Sequence, residues 1–381
     1  MRILLLAPVH REKEFLKQKG KPRTRAARGK YPFLKGQGQQ SWVEALEESG
    51  HQVFVFRYTD SILIPNFVRI YLQDFLEKLV PVWYAKYRRF RENYYFVSLE
   101  NNLKNQKLVN IAKNSKPNLV IISGGITSIF PETIKKIKIT NHCKVLLFSG
   151  VNSVTSATQV EKIMIKEGIV DAVVENDRGY ADLWKKMGAK KVIVLPISSV
   201  DPKLHRRVKL TVQEQEEYGC DVCFVGSLTN DRQEKLIELI QRDSGQARMT
   251  VKIWGDILTI IGLREELKPY YQGTAYGEKM VKIFNAAKIV LNFQPEDMTH
   301  GGNMRTFEIP GCGAFQIADR IDPNFLTDGN DYISFNSPSD LKTKIKYYLQ
   351  NESKRLKIAK TGAERARKEH TYAKHFEKLL S

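Results

Sequence analysis

Short, continuously apolar segments alternate with helical patterns along most of this 381-residue chain. Strands that are apolar throughout are buried on both faces, and a helix between consecutive strands permits parallel pairing. The pattern therefore predicts an α/β fold whose parallel sheets are covered by helices. In the first part of the chain the predicted strands are Arg2–Ala7, Gln52–Arg57, Asn118–Ser123, Lys144–Ser149, Asp171–Val174 and Lys191–Leu195.

A polar stretch interrupts this alternation, which then starts again. The length also favours two domains, because single cores stop growing at roughly 250–300 residues. We predict an N-terminal domain over residues 1–196, a linker over 197–219, a C-terminal domain over 220–358, and a basic C-terminal helix over 359–381 that crosses back to the first domain. Two doubly wound, Rossmann-like domains facing across a cleft would bind ligands at the carboxyl ends of their strands.

The formal net charge of +19 favours an anionic partner. A nucleotide diphosphate, an acidic glycan, an anionic membrane surface and nucleic acid all fit, although no nucleic-acid-binding signature is present. A lysine-rich solvated surface explains the same charge without any partner. Charge alone does not choose among these alternatives.

The chain has no apolar run near the roughly 20 residues that cross a bilayer. We interpret Met1–His10 as a buried first strand rather than a signal sequence, because its apolar core is short and no small-residue cleavage site follows. These features predict a cytoplasmic protein, and peripheral contact with the inner membrane face stays open. Four cysteines are too few for a disulfide scaffold, and Cys220-x-x-Cys223 lacks a second pair for zinc, so we expect free buried thiols and no metal site.

The segment His300–Phe315 carries the clearest chemical signal. Gly301-Gly302 leads into a predicted helix in which Arg305 and Glu308, three residues apart, share one face. A helix start with unbonded N–H groups and an arginine suits a diphosphate, and a carboxylate one turn later can accept hydrogen bonds from a sugar diol. The alternative is a capped surface helix with an ordinary salt bridge. Pro310 is expected to kink or end the helix.

Two further segments could complete such a site. Gly226-Ser227 ends a predicted strand and precedes a helix with Arg232 in its opening turn, which is a second anion-binding arrangement. Lys279 could assist a phosphate, and Asn292 could border the base. A turn glycine, a solvated lysine and ordinary strand packing are the alternatives.

Two regions of the N-terminal domain favour contacts with an acceptor or a membrane. The long basic loop Gly20–Gln40 follows the first strand, and His10 at the end of that strand is a candidate for proton transfer or acceptor contact. A solvated loop is equally consistent with the composition. The segment Ile62–Val97 is rich in aromatic and basic residues, which suits an interfacial helix pair or a helical excursion packed on the domain.

Taken together, these segments resemble the CgeB-like (spore-maturation type) glycosyltransferases. Asn303-Met304-Arg305-Thr306-Phe307-Glu308, followed by Cys312-Gly313, is similar to the N-x-R-x-F-E-x-x-x-C-G signature of that family. Val222–Arg232 is similar to its strand and turn, Gly188–Pro196 to its G-A-x-x-V…L-P stretch, and His370-Thr371-Tyr372 to its H-T-Y tail. The likeness extends from Gly168 to the C-terminus.

The resemblance implies a GT-B glycosyltransferase, related to the family 4-like enzymes, that needs no metal and takes a UDP-, dTDP- or GDP-sugar donor with a glycan, protein or lipid-linked acceptor. Glu308 would contact the donor ribose, and Arg232 and Arg305 the diphosphate. Glu308 falls at the second glutamate of the family 4 E-x7-E motif, and the first glutamate of that motif falls where this chain has His300. The candidate catalytic residues are then His10, His300 and Arg305, and the candidate donor-binding residues are Gly226, Ser227, Arg232, Lys279, Asn292, Gly301, Gly302, Asn303, Arg305 and Glu308. A sugar-nucleotide epimerase of the same fold and a non-catalytic binding protein for acidic glycan or nucleic acid stay open as alternatives.

Overall fold

The computed structural model describes residues 1–10, 33, 38–63, 75, 94–149, 157–196, 198–241, 249–257 and 262–381, with the backbone alone over 94–98. Two compact units are present. The first comprises residues 1–175 and 180–194, and the second comprises residues 176–179 and 195–381. The short segment 176–179 therefore leaves the first unit and belongs to the second.

The first unit contains a parallel sheet with strand order β2-β1-β3-β4-β5-β6. Strands β1, β3, β4 and β5 are largely buried, as the apolar runs predicted, whereas the edge strands β2 and β6 are mostly half-buried, and the core lies between the sheet and the helices. The strands are β1 (Arg2–Ala7), β2 (Gln52–Arg57), β3 (Leu119–Ser123), β4 (Lys144–Phe148), β5 (Ala172–Glu175) and β6 (Val192–Val194). The helices in its described part are α1 (Gly38–Glu48), α2 (Tyr94–Ser115), α3 (Pro131–Asn141), α4 (Gln159–Lys166) and α5 (Ala181–Lys186).

The second unit repeats this plan with strand order β11-β10-β9-β7-β8, again all parallel. Its strands are β7 (Cys220–Val225), β8 (Val251–Trp254), β9 (Ala287–Asn292), β10 (Gln316–Ala318) and β11 (Ile333–Ser334). The helices in its described part are α6 (Val212–Tyr218), α7 (Asn230–Gln241), α8 (Gly277–Ala286), α9 (Met304–Gly311), α10 (Pro338–Gln350), α11 (Glu352–Glu369) and α12 (Tyr372–Leu380). Two doubly wound α/β units confirm the predicted fold class.

Each sheet has one point at which the strand order reverses, because the first strand has the second on one side and the third on the other. This point lies between β1 and β3 in the first unit and between β7 and β9 in the second. Ligands of doubly wound folds bind at the carboxyl ends of the strands beside such a point. The topology therefore singles out the residues that follow β7 and β9.

Several predicted details differ from the structure. The segment 197–219, predicted as a linker, includes helix α6, which a capping box of Thr211 and Glu214 begins. The basic tail forms two helices, and the first of them begins at Glu352 rather than at residue 359. Helix α9 ends one residue after Pro310, in line with the missing N–H group of proline.

The two cysteines of β7 also depart from simple strand alternation. The N–H groups of Asp221 and Val222 both donate to the Thr250 carbonyl, at 3.0 and 3.1 Å, which forms a bulge. The extra residue brings Cys220 and Cys223 into one apolar cluster, where strict alternation would place them on opposite faces. Burial raises the pKa of the Cys223 thiol, with a further contribution from Cys220. All four thiols are free and buried, as expected.

Candidate functional site

Arg232 lies at the reversal point of the second sheet. It stands in the first turn of α7, and its guanidinium donates to the Ser227 carbonyl at 3.1 Å and to the Phe293 carbonyl at 2.8 Å. It thereby ties the loop after β7 to the loop after β9. Burial lowers the pKa of Arg232, and the charge of nearby Arg305 lowers it further while Asp319 opposes the shift. The two arginines are therefore electrostatic neighbours at one edge of the sheet.

Close backbone packing explains the glycine after β8. Gly226 N donates to the Trp254 carbonyl at 3.0 Å at the end of β8. A Cβ atom on Gly255, directly after β8, would lie 1.8 Å from the Gly226 carbonyl oxygen, a distance that real contacts do not reach. Gly255 therefore allows the ends of the two strands to meet, whereas a Cβ atom on Gly226 would meet the Phe224 ring at 3.0 Å. Ser227 follows and contributes its carbonyl to Arg232.

Helix α9 begins at a buried network of amide side chains. Asn303 is its N-cap and accepts from Thr306 N at 3.2 Å, while Asn303 Nδ2 donates to Asn292 Oδ1 at 2.7 Å and to the Phe293 carbonyl at 3.1 Å. Gln294 accepts from Asn303 N at 2.8 Å and donates to Thr306 Oγ1 at 3.0 Å. Asn292 is 1% exposed. These contacts fix the helix start relative to the carboxyl end of β9.

The glycine loop before α9 is held by its carbonyl groups. Gly302 packs so tightly that a Cβ atom would lie 3.0 Å from the Thr306 side chain, and one on Gly301 would lie 3.1 Å from the Asn176 carbonyl. Three successive carbonyls accept hydrogen bonds from the second unit: His300 from Arg178 N at 3.1 Å, Gly301 from Asp322 N at 3.0 Å, and Gly302 from Asn176 Nδ2 at 2.7 Å.

This arrangement orients the loop's N–H groups. In a trans peptide the N–H and C=O groups point in opposite directions, and the described residues contain no cis peptide bond. The N–H groups of Gly301 and Gly302 therefore point away from Arg178 and Asp322, and neither N–H has a hydrogen-bond acceptor among the described residues. Neighbouring N–H groups without a protein acceptor are donors available to an anion.

Asp177 holds the other end of this loop. Its buried carboxylate accepts from Thr299 N at 2.5 Å, from His300 N at 3.0 Å and from Gly179 N at 2.7 Å. The backbone beside His300 is therefore fixed, while its ring is exposed and lies 3.2 Å from Thr299 Oγ1. Sequence reasoning missed Asp177 and Asn176. Their only local signal is a pair of polar residues directly after a buried strand.

Arg305 and Glu308 share one face of α9, as predicted. Arg305 Nη1 donates to a Glu308 carboxylate oxygen, Arg305 Nε donates to the Val225 carbonyl at 2.9 Å, and the guanidinium carbon lies 5.8 Å from the centroid of the Phe284 ring. Glu308 is 4% exposed, so the alternative of a solvated surface salt bridge is wrong. Acidic side chains are seldom this buried unless they are paired, so the Glu308 carboxylate serves packing or ligand binding rather than contact with solvent.

His205 is a second residue that the sequence did not reveal. It lies in the segment predicted as linker, is 3% exposed, and its Nε2 atom is 3.7 Å from Glu308 Oε1. Burial lowers the pKa of His205, which the charge of Glu308 partly opposes. Its ring therefore completes the surroundings of the Glu308 carboxylate.

The remaining candidates lie on other elements or outside the described residues. Lys279 is half-buried in the first turn of α8, and His10 is exposed after β1 in the first unit. Most of the predicted acceptor loop Gly20–Gln40 and of the aromatic segment Ile62–Val97 falls outside the described residues.

In the part of the chain that is described, no group of three His, Cys, Asp or Glu side chains could hold a metal ion. No helix in that part is long and apolar enough to span a bilayer.

The loop after β3 in the first unit corresponds to the glycine loop of the second unit, but its N–H groups have different hydrogen-bond partners. After β3, the N–H groups of Gly125 and Ile126 donate to the buried Glu161 carboxylate at 2.6 and 3.3 Å. A protein carboxylate thus occupies the N–H groups of this loop. The second unit leaves the equivalent groups of Gly301 and Gly302 without an acceptor in the described part of the chain.

The C-terminal part of the chain is similar to a known protein family. A family model described as glycosyl transferase-like matches residues 232–381, which include Arg232, the glycine loop and α9. The chain is 24% identical over 202 residues to the spore protein CgeB of Bacillus subtilis (strain 168), which confirms the predicted resemblance. That match covers 50% of this chain and 61% of the relative.

Solved structures show the same fold over the whole chain. The structure of Anabaena Alr3699/HepE in complex with UDP and glucose has a TM-score of 0.61 and 11% identity, covering 100% of this chain and 98% of that one. A glycosyltransferase from Rickettsia africae ESF-5 has a TM-score of 0.66 and 12% identity, covering 100% and 96%. These likenesses confirm the predicted GT-B fold.

Proposed function

We propose that this protein is a GT-B glycosyltransferase that binds a nucleotide-sugar donor in its C-terminal unit and transfers the sugar to an acceptor hydroxyl. The observation that carries the proposal is the convergence of Arg232, Arg305, the Gly301 and Gly302 N–H groups and the buried Glu308 carboxylate around the end of β7 and the start of α9. Cationic and N–H donors fit a diphosphate, and the carboxylate fits the adjoining ribose diol. Solved relatives whose names include UDP and UDP-glucose support this donor class.

The chemistry requires stabilisation of the charge that grows on the departing diphosphate. Arg232 and Arg305 are already held by backbone carbonyls, so their guanidinium groups need little reorganisation when this charge develops. The Gly301 and Gly302 N–H groups would add two aligned dipoles. We propose that this set replaces a metal ion, and that Lys279 assists the same phosphates from α8.

The other candidate residues receive different roles. Asn292 and Asn303 have amide groups bonded to protein, so we assign them to holding the start of α9, and Gly226 and Ser227 to bringing the β7 loop to Arg232. His300, on the exposed side of the glycine loop, would face the donor sugar. His10 would serve the acceptor from the N-terminal unit, with a glycan, protein or lipid-linked acceptor in the cytoplasm or at the membrane surface.

Thermal unfolding of the protein with UDP, GDP, dTDP and CMP tests the donor class, because a ligand that binds only the folded state raises the unfolding temperature of the protein. We expect one nucleoside diphosphate to stabilise the protein most. Calorimetry then compares Glu308→Ala with the wild-type protein, and the variant should bind that nucleotide at least about tenfold more weakly while remaining folded. Unchanged affinity would refute the ribose contact. Conversion of the sugar nucleotide in the absence of any acceptor would identify an epimerase instead.

A further inference from the structure

His205 has a defined tautomer. The Asp201 N–H group donates to its Nδ1 atom at 3.0 Å, so Nδ1 carries a lone pair. Burial lowers the pKa of His205; Glu308, Asp201 and Glu278 oppose this shift, and Arg305 adds to it. The ring is therefore neutral near pH 7, and its single proton is on Nε2.

The Nε2–H group faces the Glu308 carboxylate. Nε2 lies 3.7 Å from Glu308 Oε1 and has no hydrogen-bond partner among the described residues, although His205 is buried. The other carboxylate oxygen, Oε2, accepts from Arg305 Nη1. Glu308 thus stands between a cation on one oxygen and a neutral donor on the other.

We propose that His205 is a positioning residue that fixes the rotamer of Glu308 for contact with the ribose diol of the donor. One anchor on Arg305 leaves the carboxylate able to rotate about its last torsion, whereas a second donor facing the opposite oxygen, here at 3.7 Å and beyond hydrogen-bond distance, would restrict that rotation once it closes on the oxygen. A neutral donor does this without a second cation, which would compete with the sugar hydroxyls for the carboxylate charge. The inference rests on the proposed function, because it assumes that Glu308 binds the ribose.

The test uses variants that separate the two nitrogen atoms of the ring. His205→Asn retains an acceptor for the Asp201 N–H group but is too short to reach Glu308, whereas His205→Gln can place an amide N–H near the Nε2 position. Calorimetry on the full chain measures the affinities of UDP and of 2′,3′-dideoxy-UDP, which lacks the diol. We expect the wild-type protein to prefer UDP by at least about tenfold.

His205→Asn should weaken UDP binding about five- to tenfold and leave the dideoxy nucleotide unchanged, and His205→Gln should restore most of the preference. An equal loss for both nucleotides would show a general structural role and overturn the inference, as would unchanged UDP affinity. If His205→Asn does not fold, His205→Met provides a donor-free side chain of similar volume, with the same expectation.

The Glu308→Ala variant distinguishes a failure of the proposed function from a failure of the inference about His205. If this variant keeps the preference for UDP, the ribose contact fails and the inference fails with it; if wild-type protein binds none of UDP, GDP and dTDP, the proposed function itself fails. If Glu308→Ala abolishes the preference while His205→Asn and His205→Met retain it, the ribose contact stands and the role of His205 is wrong.

Discussion

The side-chain amide of Asn176 donates to the Gly302 carbonyl at 2.7 Å, across 126 residues of sequence. This contact turns the Gly302 peptide so that its carbonyl faces the protein. With Arg178 and Asp322 bonded to the two preceding carbonyls, it orients the whole glycine loop. Arg178, bonded to the His300 carbonyl, sets the direction of the Gly301 N–H group, and Asp322, bonded to the Gly301 carbonyl, sets that of the Gly302 N–H group.

Asn176→Ala should therefore impair binding as well as stability. Loss of a buried hydrogen bond costs roughly 1–3 kcal/mol in unfolding free energy, and the released loop should weaken UDP binding about five- to tenfold. Urea denaturation and calorimetry measure the two effects. Asn105→Ala is a matched control, because that buried amide bonds Phe130 N at 2.9 Å and the Ser128 carbonyl at 3.1 Å in the first unit. It should lose comparable stability without a change in UDP affinity, and equal binding losses in both variants would contradict the role of Asn176.

Arg232→Lys should separate phosphate binding from base binding. Lysine keeps the charge but cannot bond the Ser227 and Phe293 carbonyls while presenting further N–H groups to a diphosphate. We expect the affinity for UDP to fall at least about tenfold and that for uridine to change less than about twofold, both by calorimetry. Arg206→Lys, at a half-exposed arginine paired with Glu278, serves as the control and should leave both affinities intact. A parallel loss of uridine binding would instead indicate a distorted unit.

The loss of unfolding free energy when a glycine is replaced by alanine should depend on which atoms the new Cβ atom would contact. At Gly255 it would lie 1.8 Å from the Gly226 carbonyl oxygen, a backbone atom that moves only if the ends of β7 and β8 separate. At Gly302 it would lie 3.0 Å from the Thr306 side chain, a far smaller overlap. Gly255→Ala should therefore cost at least about 2 kcal/mol in unfolding free energy, and Gly302→Ala less. Urea midpoints at a constant m-value measure both, and the reverse order would contradict the packing described here.

Two buried histidines near the C-terminus lie in a chain of polar contacts. His370 Nε2 is 2.9 Å from the Phe325 carbonyl and must donate to it, and His370 Nδ1 is 3.3 Å from His375 Nε2. His375 Nδ1 lies 2.5 Å from the Ser199 hydroxyl oxygen and 3.0 Å from the Pro196 carbonyl oxygen. Burial lowers the pKa of His370 to about 4 and that of His375 to about 3. The chain connects the segment before α6 to helices α11 and α12.

This chain predicts loss of stability in acid. A histidine whose folded pKa lies below its unfolded value of about 6.5 binds more protons when unfolded. The contribution of such a histidine to the unfolding free energy is thus complete above pH 6.5 and is lost as the pH falls towards 4. For His370 alone this loss is on the order of 3 kcal/mol, and His375 acts in the same direction. Denaturation at several pH values should show this decline. His370→Gln, which keeps a donor for the Phe325 carbonyl, should flatten it, and an equally steep decline in that variant would exclude His370 as a source.

Local sequence patterns predicted much of the secondary structure and part of the candidate site. Apolar runs of strand length gave the parallel sheets, and the three-residue spacing gave Arg305 and Glu308 a common helix face. Both rest on backbone geometry that repeats over a few residues. The bulge at Asp221 was beyond such reasoning, because it depends on how β7 pairs with the residue before β8.

The amino-acid order by itself determined the elements, their parallel pairing and the presence of donors for an anion beside a carboxylate. Only the tertiary structure decided which groups complete the site. Asn176, Asp177 and His205 come from segments about 100 residues or more away from the loop and helix that they contact, and no periodicity records such a pairing. Periodic patterns report the few residues of one turn or one pleat, whereas loop direction and carboxylate surroundings depend on which distant backbone the folded chain brings alongside.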